Sequence, residues 1–271
     1  MKHSAKELED LAKEARRITL RMIASIGKGH VGGSLDIIDA LTILYYEEMN
    51  VDPSDPRKKG RDRLVLSKGH GGPGLYSILC MKGFFDKKHI ETLNHPGTIL
   101  PSHCDRTLTP GVDMTAGSLG QGLSAAVGMA LADRIDHNGA RVYCIIGDGE
   151  SQEGQIWEAG MYAAQMKLGG LTAFLDLNGQ QIDAPVDQIN SMIDAAAKWR
   201  AFGWNVMEIN GHNFQEIYDA VESAKKCEDK PSMIVMHTIK GKGWKRVEGT
   251  TKCHSMPVTE ADLEEALKDL R

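Results

Sequence analysis

The chain has 271 residues, 41% hydrophobic and 25% charged, the balance of an ordinary globular protein with enough length for a substantial core. Its 32 basic and 37 acidic side chains leave a formal charge of −5, which argues against nucleic acid or acidic membranes as partners. No apolar stretch approaches the ~18 residues of a membrane span, and the opening segment MKHSAKELEDLAKEARR is charged, so a cytoplasmic location is expected. Five scattered cysteines without CxxC spacing fit neither a zinc site nor a disulfide framework.

In chain order, Ser4 and Glu7 form a capping box for an amphipathic helix over 4–26 that ends at Gly27. GKGHVGGS is a loop, and Ser34 is expected to cap a second helix, LDIIDALTILYYEEM. A polar loop, NVDPSDPRKKGRD, precedes a short strand RLVLS, the turn KGHGGPG and a helix LYSILCMKGF. Residues 86–116 hold a short helix and then a long irregular segment, a length that points to function or disorder. From Leu119 the elements alternate: helix 119–135, strand 141–148, helix 153–166, strand 171–178, helix 189–202, strand 204–210, helix 213–225, strand 231–239. Apolar strands alternating with helices predict an α/β fold, a parallel sheet covered on both faces, as one domain over 1–271. Ligands of such sheets bind at the carboxyl ends of the strands. Gly120, Ser124, Gly128 and Ala132 lie four apart on one helix, a face open to close packing within the domain or to a subunit interface.

Glycine is enriched, 29 of 271 residues, and clusters in loops that should converge on one site. The central stretch is IIGDGESQEGQIWEAG, residues 145–160: a strand, a glycine turn and a helix start. Such a turn suits an anion, yet it carries Asp148, Glu150 and Glu153. A divalent cation reconciles acids with phosphate, because Mg²⁺ binds one or two carboxylates together with phosphate oxygens. Asp148, at the strand end, is the best-placed ligand, whereas Glu150 is expected not to ligate. Asn178 follows 30 residues later, one strand–helix–strand unit on, and NGQQ can add the backbone carbonyl of Gln180. A dinucleotide fingerprint is disfavoured, since GDGESQEG lacks the third glycine at its spacing.

GDG followed by Asn about 30 residues on is the thiamine diphosphate motif. The stretch from Gly147 to Asp183, with QEG after GDG and KLGGL before the next strand, resembles the transketolase family. TAGSLGQGLSAAVGMALA, KGHVGGSLDIIDAL, DRLVLSKGHGGPGLY and HTIKGKG…HSMPV match that family's other landmarks in order, over essentially the whole chain. The resemblance implies thiamine diphosphate and Mg²⁺, with Ca²⁺ or Mn²⁺ as substitutes. It implies Asp148 and Asn178 as side-chain metal ligands and Gln180 as a carbonyl ligand. Gly149 would meet the diphosphate through its N–H, Gly117 the aminopyrimidine through its carbonyl, and Leu119 and Ile182 would pack on the rings. His70 and His254 would approach the diphosphate, His30 and His103 would line the channel to the sugar donor, and Glu153 would face a partner's active site.

A complete transketolase is more than twice this long. The resemblance therefore implies the N-terminal subunit of a split enzyme, moving a two-carbon ketol unit between sugar phosphates. A C-terminal subunit would supply the pyrimidine-binding domain, giving an α2β2 assembly. Alternatives are half of a deoxyxylulose-phosphate synthase-like or E1 α-like enzyme, or a cofactor-binding scaffold without turnover. Departures from the family pattern (GHV at His30, SHCDRT at 102–107, AGSLGQG, CHSMP) fall on substrate-side loops and put the sugar in doubt more than the cofactor. Arg106, beside His103, is either a contact for a substrate anion or an exposed arginine.

Overall fold

The computed structural model describes residues 1–182 and 184–271. Both halves of the Ser4/Glu7 capping box form at the head of α1 (Ala5–Ile26), and Gly27, at φ 78°, ends it. There follow β1 (Lys28–Gly29), α2 (Gly32–Leu35), α3 (Ile38–Ile43), β2 (Arg63–Leu66), α4 (Gly72–Lys82), α5 (Gln121–Asp136) and β3 (Val142–Gly147). Then come α6 (Gly154–Gln165), β4 (Leu171–Leu177), β5 (Gln180–Gln181), β6 (Ala184–Pro185), α7 (Val186–Asn190) and α8 (Ala195–Ala201). β7 (Asn205–Asn210), α9 (Phe214–Lys226), β8 (Ser232–His237), β9 (Met256–Pro257) and α10 (Glu260–Asp269) complete the order.

The expected parallel sheet is present: five strands in the order β2-β3-β4-β8-β7, every pair parallel. The strands β2, β3, β4 and β8 read as apolar runs because both faces are covered, whereas the edge strand β7 is partly exposed. Tyr143 and Ile145 of β3 join the core beneath α1, α3, α4 and α9, while Val142, Cys144 and Ile146 join the core beneath α5, α6 and α8. The carboxyl ends of β2, β3, β4 and β8 therefore share one edge, where the glycine loops gather. A two-stranded antiparallel ladder, Lys28↔Pro257 and Gly29↔Met256, draws residues near the two ends of the chain to that edge.

Two local expectations are corrected and a third is narrowed. Ser34 does not cap a helix: Val31 precedes α2, and Ser34 lies inside it, its hydroxyl donating to the His30 carbonyl at 2.7 Å. Such back-bonding four residues along is the usual role of serine within a helix. The expected helix over 189–202 is two helices, because Asp194 accepts from the Ala197 N–H and caps α8, with Ile193 at φ 55° in between. The small-residue face of α5 packs within the domain only at its first turns, where Gly120 abuts Glu153 and Ser124 meets Gln155 at 3.0 Å. Gly128 faces open space and Ala132 is exposed. All five cysteines are unpaired, and no helix among the described residues is long and apolar enough to cross a membrane.

Candidate active site

Four histidines from four loops meet in one cleft. His30 follows β1, His70 sits in the turn between β2 and α4, His103 lies in the irregular segment after α4, and His254 precedes β9. The His30 ring is 5.4 Å from His70, 5.5 Å from His103 and 5.3 Å from His254, and His70 is 5.1 Å from His254. The same cleft is lined by Gly117, Leu119, Asp148, Gly149, Asn178, Gln180 and Ile182. Of the residues expected at the site, only Glu153 lies outside the cleft; it is exposed at the head of α6.

Burial shapes the charge states. It pushes His30 down to about 4, with His103 and Lys240 adding to the effect. Burial likewise pushes His254 to about 4, helped by Lys240, and holds His70 and His103 below their usual value. The imidazoles are thus neutral at pH 7, able to donate at one nitrogen and accept at the other. The unfolded chain, with ordinary histidines near 6.5, binds protons more readily than the folded one. The imidazoles' contribution to stability is therefore expected to be full above pH ~6.5 and to fall as pH drops toward 4. Urea midpoints measured across that range check this. His30→Asn with His254→Asn should flatten the dependence, and a slope identical to wild type would contradict the assignment.

Asp148 is buried at the end of β3. Burial, and then the Asp176 carboxylate, raise it to about 6. Its oxygens accept from the N–H of Gly149 at 2.8 Å and of Gly179 at 2.6 Å. Asn178, just past the end of the neighbouring strand β4, turns its Nδ2 inward to Asp36 and Asp176, each at 3.1 Å, which leaves Oδ1 accepting from the Gln180 N–H at 2.9 Å. The side-chain oxygens of Gln180 and Gln181 are buried without a partner. A Cβ on Gly149 would come within 2.9 Å of Gln181, so only glycine leaves the turn free there. Among the described residues no three His, Cys, Asp or Glu side chains could hold a metal by themselves. One carboxylate, one amide oxygen and a carbonyl suit instead a hard cation that takes its remaining ligands from phosphate and water.

Beneath this surface lies a network that the motifs do not reveal. Lys68, 1% exposed, donates to Asp36 at 3.1 Å and to Asp176, and the Thr238 hydroxyl also donates to Asp176. Burial alone would lower Lys68, but the two carboxylates raise it. Lys68 in turn holds Asp176 low against burial, while burial and Asp176 push Asp36 up to about 8. Lys240, also buried, places its Nζ 3.3 Å from His254 Nδ1 and 3.3 Å from the Gln180 carbonyl. An aspartate inside the apolar run LTAFLDL is the available signal for Asp176. Lys68 and Lys240 each adjoin a glycine of a loop already singled out.

The family described as transketolase, thiamine diphosphate binding domain, matches residues 8–270. The chain belongs to the transketolase family. Among curated relatives, the 6-deoxy-6-sulfo-D-fructose transketolase subunit of Clostridium sp. (strain MSTE9) is 53% identical, the match covering 97% of this chain and 96% of that subunit. An apulose-4-phosphate transketolase subunit of Phocaeicola vulgatus is 37% identical, over 97% of this chain and 93% of that one. The crystal structure of Campylobacter jejuni transketolase superposes with a TM-score of 0.93 at 32% identity, over 99% of this chain but 43% of that one. This member of the transketolase family thus has the extent of the separate subunits and spans about two-fifths of the solved transketolase. Its sheet is that of the thiamine diphosphate-binding fold.

Proposed function

We propose that this transketolase subunit holds thiamine diphosphate through Mg²⁺ and transfers a two-carbon ketol unit between a ketose and an aldose, working with a separate C-terminal subunit in an α2β2 assembly. The observation that carries this reading is the meeting of Asp148, Asn178 and the Gln180 carbonyl at one sheet edge, under four neutral imidazoles. Residues 1–271 are then a single diphosphate-binding domain, with the pyrimidine-binding and C-terminal domains on the partner.

In this reading Asp148 and Asn178 hold the cation by side chain and Gln180 by its carbonyl, Ca²⁺ or Mn²⁺ being substitutes. The Gly149 N–H, His70, His254 and the Lys240 ammonium receive the diphosphate. The Gly117 carbonyl accepts from the aminopyrimidine, and Leu119 and Ile182 pack on the rings. Ile182 keeps φ 46°, a strained setting for a β-branched residue, and is half exposed where a ring would cover it. The chemistry supplied by bound thiamine diphosphate is carbanion stabilisation at the breaking C–C bond. This chain's part is to hold protons: His30 and His103, neutral and lining the cleft, accept from and donate to the sugar hydroxyls.

Two features support a partner. The cleft measures about 230 Å³, less than the ~300–1,000 Å³ of sites that enclose a whole ligand. Leu119 and Ile182 at the cleft, Met161 and Tyr162 on α6, Ile189 on α7 and Ile193 just after it all stay exposed, Ile193 at 89%. Exposed apolar side chains in such number favour an interaction surface, and Glu153 is exposed at the head of α6. The degree of identity to the sulfofructose-acting subunit favours a ketose donor with an anionic group at its far end, a sulfonate before a phosphate. Ketol transfer should be absent from the purified chain. It should appear on adding the C-terminal subunit, Mg²⁺ and thiamine diphosphate, and be faster with 6-deoxy-6-sulfofructose than with fructose 6-phosphate. Transfer by the single chain would overturn the division of parts, and preference for the phosphate would overturn the donor.

A further inference from the structure

Glu150 is the acid of the 148–153 turn that neither metal nor diphosphate requires, and it is 2% exposed. Its Oε1 accepts from the Gly120 N–H at 2.9 Å and from the Ser67 hydroxyl, and its Oε2 accepts from the Gly147 N–H at 3.0 Å. The three donors belong to three segments: the loop leading into α5, the end of β2 and the end of β3. Those segments are pressed together. A Cβ on Gly122 would fall 2.5 Å from the Ser67 Cβ, and one on Gly69 would fall 2.4 Å from the Ala116 carbonyl oxygen. Gly117 and Leu119, just before Gly120, line the cleft on one side, and Asp148 and Gly149, just before Glu150, line it on the other.

We propose that Glu150 is a positioning residue that fixes the separation between the Asp148–Gly149 turn and the Gly117–Gly120 loop, so that the two ends of thiamine diphosphate are received together. This rests on the cofactor reading above. A carboxylate suits the task because each of its oxygens faces a backbone N–H, which can only donate. Glutamine would have to turn its own NH₂ toward one of those N–H groups, leaving a buried donor against a donor. Aspartate keeps the acceptors but is too short to reach Gly120 and Gly147 at once.

The test uses the complex of this chain with its C-terminal partner and compares binding of Mg²⁺-thiamine diphosphate with that of Mg²⁺-pyrophosphate by calorimetry. Pyrophosphate meets the turn alone; the cofactor must meet both sides. Glu150→Gln is expected to weaken thiamine diphosphate about 10–100-fold, the size of a buried donor left unmatched, while pyrophosphate keeps its wild-type affinity. Glu150→Asp should give the same split, and it carries the test if the glutamine variant does not fold. Parallel losses for the two ligands would reduce Glu150 to general support of the turn and overturn the proposal, as would unchanged binding of both. A wild-type complex that binds neither ligand would instead overturn the cofactor reading, so the two failures are separable.

Discussion

Asp148→Ala is expected to lower the affinity of the assembled enzyme for Mg²⁺-thiamine diphosphate by more than about 100-fold, since even changes behind a metal's ligands cost 10–100-fold. Asp148 offers the only carboxylate among the three groups assigned to the cation, and Asn178 and the Gln180 carbonyl contribute no charge. The variant should not fail by unfolding. Burial and Asp176 raise Asp148 from 3.8 to about 6, so above that pH its folded charge opposes folding. Removing it should leave the cofactor-free chain at least as stable at pH 7.5. Calorimetric titration beside a thermal melt separates the two effects. Unchanged cofactor affinity would remove Asp148 from the metal site.

The second large effect is expected from Lys68→Met. Lys68 is the cation closest to Asp36 and Asp176, both fully buried. Asp36, pushed up to about 8, already holds a proton for most of the time at pH 7.5, so the loss of Lys68 leaves the Asp176 carboxylate uncompensated in a dry interior, which should cost about 3–5 kcal/mol in urea denaturation at that pH. The deficit should shrink in acid as Asp176 takes up a proton as well. Cofactor affinity should fall as well, because the same carboxylates hold the Asn178 amide with its oxygen outward. A variant within about 1 kcal/mol of wild type, on the scale of an exposed ion pair, would show that the network bears little weight.

Much of the fold is legible in the sequence for a physical reason. Strands buried on both faces must be continuous apolar runs, so LVL, VYCIIG, LTAFLDL and SMIVMH announce the sheet and its carboxyl edge. The cofactor loops are legible because backbone that must approach a ligand closely needs glycine, and the four histidines stand among those glycines. The breaks around α2 and α8 are not, because residue type favours serine and aspartate at a cap but does not say which of them takes one: Asp194 does and Ser34 does not. Lys68, Asp36 and Asp176 form a site only through contacts between segments distant in sequence. Glu150 reads as spare in the sequence for the same reason: its partners are two backbone N–H groups and a hydroxyl, which no side-chain pattern displays.

The short ladder between Lys28–Gly29 and Met256–Pro257 has a kinetic meaning. It fastens His30 to His254 across nearly the whole length of the chain. The sheet's strands are joined by shorter crossovers, and closure entropy and folding time both grow with the separation to be bridged. The sheet can therefore assemble without the ladder, but the imidazole quartet cannot. The face that carries the imidazoles is therefore expected to form last, on a scaffold already built, and to open first when the chain loosens. Amide exchange at Val258, whose N–H donates to the Gly27 carbonyl at 2.9 Å, should run ahead of exchange in β3 and β4.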